Sequence, residues 1–223
     1  MQYFCRMLQV KIFEFNPLSE NTYVLWDETA EGVVIDPGCF ERAENEALAS
    51  FVEKENINIK YLLNTHCHVD HVLGNYFVKN TYHVPFLTHA NEDPVLRAVK
   101  SYAANYGFFG YSEVLPDRYL AEGDQLHFGN TTLSVLFLPG HSPGHIGFYH
   151  AESKSLFAGD VLFQRSIGRT DLPGGNFETL IESIHTKVFK LPDEVTVYPG
   201  HGETTTISEE KMYNPFCALT QRA

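Results

Sequence analysis

The chain has 223 residues, 43% of them hydrophobic and 20% charged, a composition that supports a packed core and excludes intrinsic disorder. Sixteen basic against 28 acidic residues leave a formal net charge of −12, which repels phosphate and argues against nucleic acid as a partner. No apolar run approaches the roughly 18–20 residues of a membrane span, and Arg6, Gln9 and Lys11 interrupt the segment where a secretion signal needs an unbroken apolar stretch. A cytoplasmic protein without a membrane partner, forming one domain over 1–223, is the expectation.

Short strands are expected at 10–15, 22–26 and 33–35, with turns at Asn16-Pro17 and Asp36-Pro37-Gly38. Ala47, Leu48, Phe51 and Val52 make one apolar stripe, which predicts a helix over 41–55. A strand over 60–64 follows, then a helix beginning near His71 and a strand ending at Leu87. Val95, Ala98, Val99 and Tyr102 stand at helical spacing within 94–106. In the second half, strands at 125–128 and 131–138 flank the hairpin signal Gly129-Asn130. Two more strands, 146–150 and 155–158, precede a helix that Asn176 caps and whose apolar face runs from Phe177 to Val188. The last strand is expected at 195–198. Strands interrupted by helices in both halves predict an α/β layered fold, with sheet on sheet and helices outside.

The segment Thr65-His66-Cys67-His68-Val69-Asp70-His71 gathers three imidazoles and a carboxylate directly after an apolar strand. Neutral imidazole suits zinc, iron and related ions, and carboxylate adds a harder anionic donor. Three further donors stand after strands and next to glycine: His141 in Pro139-Gly140-His141, Asp160 in Ala158-Gly159-Asp160, and His201 in Pro199-Gly200-His201. Glycine there lets backbones approach an open site closely. Seven donors suffice for two metal ions. His145 is read as support for His141 or as a turn residue, and Cys67 as a packed thiol facing away from the metals. Cys5, Cys39 and Cys217 carry no pairing signal.

His66-x-His68-x-Asp70-His71, followed in order by His141, Asp160 and His201, resembles the metallo-β-lactamase superfamily. Within it the pattern is most similar to short single-domain type II glyoxalases, the hydroxyacylglutathione hydrolases. The stretch from Ser166 to Gly175 also resembles those short relatives. The resemblance implies a four-layer αβ/βα sandwich with two divalent ions, zinc first and iron or manganese as alternatives. It places His66, His68 and His141 on one ion, Asp70, His71 and His201 on the other, and Asp160 as the bridge. Two adjacent cations share and acidify a hydroxide, and Asp70 both ligates and orients that nucleophile as the catalytic residue. A thiolate departs with little protonation, because its pKa is about 8.5. Hydrolysis of a small-molecule thioester, such as an S-hydroxyacyl thiol, is therefore the expected activity.

Longer glyoxalases carry a C-terminal helical domain whose basic residues meet glutathione, and only 22 residues follow His201 here. Arg169 becomes the candidate for gripping a substrate carboxylate, with Arg165 beside it. One rival is a persulfide dioxygenase holding a single iron on His66, His141 and Asp160. Another is a metal-binding protein without catalysis. A thiolate-ligated lactamase is disfavoured by Asp160, where such enzymes place Cys.

Overall fold

The computed structural model describes residues 8–219. Its first half builds a six-stranded sheet in sequential order: β1 (Gln9–Phe15), β2 (Glu20–Trp26), β3 (Glu31–Ile35), β4 (Asn58–Leu63), β5 (Phe86–His89) and β6 (Arg118–Leu120). β1 to β3 pair antiparallel, and β3 to β6 run parallel. The parallel connections are made by α1 (Arg42–Lys54), by the short α2 (Val69–Val72) with α3 (Asn75–Tyr82), and by α4 (Asp93–Tyr102). The second half forms another six-stranded sheet from β7 (Gln125–Phe128), β8 (Thr131–Phe137), β9 (Ile146–His150), β10 (Ser155–Gly159), and, beyond a small hairpin of β11 (Leu162–Phe163) and β12 (Ser166–Ile167), from β13 (Thr196–Pro199) and β14 (Thr205–Thr206). Two helices complete this half, α5 (Phe177–Thr186) before β13 and α6 (Ile207–Tyr213) after β14.

Three cores separate four layers, which is the αβ/βα sandwich. Along β2, Val24 points to the helices of the first half while Tyr23 and Leu25 point to the other sheet. The two-residue period of a strand divides β3 in the same way, Val34 outward and Val33 and Ile35 inward. In the second sheet, Phe157 faces inward and Leu156 and Ala158 pack under α5 and α6 with Leu180, Ile184 and Ile207. Strands covered on both faces read as continuous apolar runs, which is why 33–35 shows no alternation in the sequence.

Several boundaries differ from expectation. The helix expected near His71 starts at Val69, with His68 in extended conformation at its N-cap, so Asp70 and His71 project from one helical turn. The strand expected over 131–138 stops at Phe137, and 195–198 is not the last strand, because Thr205–Thr206 pairs back onto β13. β6, β11, β12, β14 and α6 carried too few periodic residues to be read. Cys39, Cys67 and Cys217 are buried and free, and Cys5 lies outside the described residues. Among the described residues no helix is long and apolar enough to cross a membrane.

Phe157 is fully buried between the sheets, its ring 5.3 Å from that of Tyr23 in an edge contact. Phe157→Ala should lower stability by about 3–5 kcal/mol, read as a lower urea midpoint at unchanged slope.

Candidate metal centre

All seven sequence-selected donors meet at one end of the sandwich, beyond the C-terminal ends of β4, β8, β10 and β13. β4 leads into the turn bearing His66 and His68, and α2 carries Asp70 and His71. The second sheet contributes His141 between β8 and β9, Asp160 directly after β10, and His201 directly after β13. Two groups result, His66 with His68 and His141, and Asp70 with His71 and His201, the donor atoms of each lying within 4.8 Å of one another.

In the first group, His68 Nδ1 lies 2.9 Å and His66 Nε2 3.2 Å from His141 Nε2. A tetrahedral ion with bonds of about 2.0–2.1 Å sets its nitrogen ligands about 3.3 Å apart, so this spacing fits a cation at the centre. The remote nitrogens explain the orientation. His141 Nδ1 donates to the Arg169 carbonyl at 2.7 Å, which leaves Nε2 unprotonated and facing inward. The Thr65 hydroxyl donates to Asp36 Oδ2 at 2.6 Å, so its oxygen accepts from His66 Nδ1 at 3.0 Å. His66 Nε2 is thereby free as well.

In the second group, Asp70 Oδ2 lies 3.1 Å from His201 Nε2 and 3.6 Å from His71 Nε2. His201 Nδ1 faces the carbonyls of Leu18 and Ser19 at 3.0 and 3.1 Å, and His71 Nδ1 faces Asp36 Oδ2 at 3.3 Å. Asp160 spans the two groups: Oδ1 is 3.5 Å from His71 Nε2, while Oδ2 is 3.5 Å from His141 Nε2 and 3.6 Å from His201 Nε2. His71 Nε2 and Asp160 Oδ1 are buried without a hydrogen-bond partner. Such orphaned atoms are rare in a native fold, and a cation between them satisfies both.

The charge states divide along the same line. Burial, then the neighbouring rings, pushes His66 well down, and burial takes His68 to about 3. His141 is lowered by burial too. Burial also opposes charge on His71 and His201, but the carboxylates of Asp70 and Asp160 outweigh it and raise both. Burial alone would raise Asp70; His71 and His201 reverse that and hold it well below the usual carboxylate range.

Glycine is required where backbones crowd these donors. A side chain at Gly200 would strike Asp160 Oδ1 and His71, and one at Gly159, at φ +49°, would strike Thr65 and His145. His145 stacks on His66 and its Nε2 accepts the Asp160 amide at 3.0 Å, so it positions the spanning carboxylate. The Cys67 sulfur lies against Thr88 and burial raises its thiol, away from the donors.

Sequence reasoning missed two carboxylates. Asp36, taken for turn punctuation, sits at the end of β3 with φ +48° and accepts from Thr65 and Asn64 as well as facing His71. It also falls near His66 and His71, but on the remote side of their rings, and so orients them. Glu92 is fully buried and joins the two donor loops: Cys67 N donates to Oε2 at 2.8 Å, and Ser142 Oγ and Gly144 N donate to Oε1 at 2.6 and 2.7 Å. A positive φ at Asp36 and an acid before α4 left no periodic signal to find.

The donors open into a cleft of about 1050 Å³. Arg169 reaches its wall, but Asp171 already accepts from its Nε and Nη2, both at 2.7 Å. Arg165 is drawn elsewhere, to Glu209 at 2.8 Å and over the Tyr213 ring. Seven donors in two groups spanned by one carboxylate, on this sandwich, agree with the match of residues 15–201 to the metallo-beta-lactamase superfamily. The chain belongs to that superfamily.

Hydroxyacylglutathione hydrolase GloC of Haemophilus influenzae is 39% identical to this superfamily member, over 94% of this chain and 98% of that protein. Human mitochondrial persulfide dioxygenase ETHE1 is 32% identical, over 92% of this chain and 75% of that protein. The BLEG-1 B3 metallo-beta-lactamase superposes with a TM-score of 0.85 at 37% identity, covering 94% of this chain and 99% of that one. TTHA1623 in a di-iron-bound form gives 0.83 at 36% identity, covering 93% and 100%.

Two outcomes follow from this geometry. Protons compete with metal for the imidazole nitrogens, so acidification should strip metal from both groups, read by elemental analysis as falling equivalents after dialysis at descending pH. Glu92→Gln would turn an amide N–H toward a backbone N–H in the donor loops. It should cost about 1–3 kcal/mol in urea unfolding and make one metal equivalent easier to chelate.

Proposed function

We propose that the protein is a dinuclear metal-dependent thioester hydrolase acting on an S-hydroxyacyl thiol or a close analogue. Asp160, with one carboxylate oxygen beside each donor group, carries this reading. GloC, matched over 98% of its length, supports it. His66, His68 and His141 would hold one divalent ion, Asp70, His71 and His201 the other, with zinc, iron or manganese compatible with the nitrogen and oxygen donors. When bound, such ions supply Lewis acidity, which acidifies water and polarises a carbonyl oxygen.

The chain's own residues do the rest. Asp70, held low in pKa, stays ionised and orients the attacking water by accepting one of its protons in a hydrogen bond. Asp160 fixes the separation of the two groups, and Asp36, Thr65 and the Arg169 carbonyl fix the rings. Water oxygen bonds to the carbonyl carbon, the carbon–sulfur bond breaks with its electron pair on sulfur, and the products are a carboxylate, a thiol and a proton. Tyr102 lines the cleft with its phenol raised to about 12 by burial. A thiolate departs with little protonation, because its pKa is about 8.5.

Asp160→Ala should lose bound metal and nearly all thioester hydrolysis together while keeping its circular dichroism spectrum. Two retained equivalents would refute the bridging role. Thioester hydrolysis without oxygen uptake on a persulfide supports the hydrolase. Oxygen uptake with a single iron would favour the dioxygenase, whose His66, His141 and Asp160 also converge here.

A further inference from the structure

The cleft's walls are more informative about substrate than its floor. Val95, Ala98 and Tyr102 of α4 form one side, and Phe163, Leu172 and Pro173 from the segments following β10 add to the apolar lining, as do Leu18 and Ile167. At about 1050 Å³, the cleft is at the upper end of the roughly 300–1,000 Å³ typical of small-molecule sites, so space remains beyond the reacting carbonyl. Arg169 is the one Lys or Arg among the described lining residues. Its Nε and Nη2 are already taken by Asp171, two bonds at 2.7 Å in a pair exposed to solvent. A substrate carboxylate reaching Arg169 must displace one that is tethered two residues away, and it does so in a protein of net charge −12. The expectation of an anionic substrate arm gripped by Arg169 meets an occupied fork.

We propose that the cleft selects a thioester whose arm beyond the reacting carbonyl is apolar and uncharged, and that Asp171 is a specificity residue that keeps Arg169 closed to anionic arms. This inference rests on the thioesterase reading for its reaction but not for its binding geometry. The apolar walls gain from each methylene they cover, while glutathione's two carboxylates would find no free cation in the lining. The arm belongs to the acyl or the thiol side, and the two are separable by lengthening each in turn.

The test uses the metal-loaded enzyme and two series of thioesters. One carries acyl chains of two to six carbons on the uncharged thiol N-acetylcysteamine; the other carries acetyl on alkanethiols of growing length. The expected result is a rise in kcat/KM of about fourfold per added methylene in one series, which identifies the side of the arm. The glutathione thioester of the same acyl group should be no better than the uncharged one. Asp171→Asn should raise kcat/KM on the glutathione thioester about five- to tenfold through KM, with kcat little changed. Ala98→Asp, which puts a charge on the α4 wall, should flatten the chain-length dependence.

Flat rates in both series, or a glutathione thioester favoured more than tenfold by the unmodified enzyme, would overturn the apolar arm. An Asp171→Asn enzyme no better on glutathione thioesters would overturn the role of Asp171. If no thioester is hydrolysed, the thioesterase reading fails and calorimetry decides the inference by itself. S-hexyl-N-acetylcysteamine binding more tightly than its S-methyl counterpart and than S-methylglutathione upholds it, and equal affinities sink it.

Discussion

Buried imidazole nitrogens that face one another without protons repel, and the rest of this structure is arranged to hold them in place. His66 and His141 each spend their one neutral-state proton on an acceptor behind the ring, so their inward atoms are bare lone pairs 3.2 Å apart. His68, 2.9 Å from His141, can offer at most one proton to the cluster, and burial opposes any further protonation. Only a cation relieves all three at once. The second group solves the same problem with the opposite sign, because Asp70 and Asp160 raise the pKa of His71 and His201. One site therefore combines a neutral nest of nitrogens with an anionic nest of oxygens, and Asp160 belongs to both.

That arrangement needs rigid support from outside the donors, since a donor loop free to move would let the lone pairs swing apart. Glu92 supplies it on one flank by taking N–H groups from both histidine loops, and Ile146 N donates to the Thr65 carbonyl at 2.8 Å on the same seam. On the other flank Asn21 and Tyr23 of β2 reach across the sandwich to the backbone around His201, with bonds to Pro199, Gly200 and Gly202. Each contact joins segments far apart in sequence, so the centre is a product of the completed fold.

The donors were legible in the sequence because metal chemistry restricts them to few residue types, and strand ends beside glycine mark where such residues gather. Inner strands such as β3 and β10 were legible because their runs are buried on both faces, and β7 and β8 because theirs alternate. Asp36, Glu92 and Asp171 were not. Each acts through a partner brought from elsewhere in space or through a short local turn, and an isolated acid carries no period. Arg169 shows the limit most clearly. Its place near the centre agrees with the sequence expectation, but its pairing depends on the side-chain direction of Asp171 in an irregular loop. β14 and α6 escaped because a two-residue strand and a seven-residue helix present too little pattern.

Neither group of donors belongs to one half of the molecule. His66 and His68 come from the first sheet and His141 from the second; Asp70 and His71 come from the first and His201 from the second. An ion in either group is therefore a cross-link between the sheets, lying at the end of the core that Tyr23, Phe148 and Phe157 fill. Binding free energy at such a site adds to folding free energy, because the unfolded chain has no preformed constellation to compete. The geometry also explains how a reactive centre and a changeable cleft coexist. The donor groups draw on strand ends and the turns fixed to them, whereas α4 and the loop around Arg169 line the cleft beside Val69, Asp70 and His141. Substitutions in those walls can alter what is bound while the donors, locked by both sheets, continue to set what is done to it.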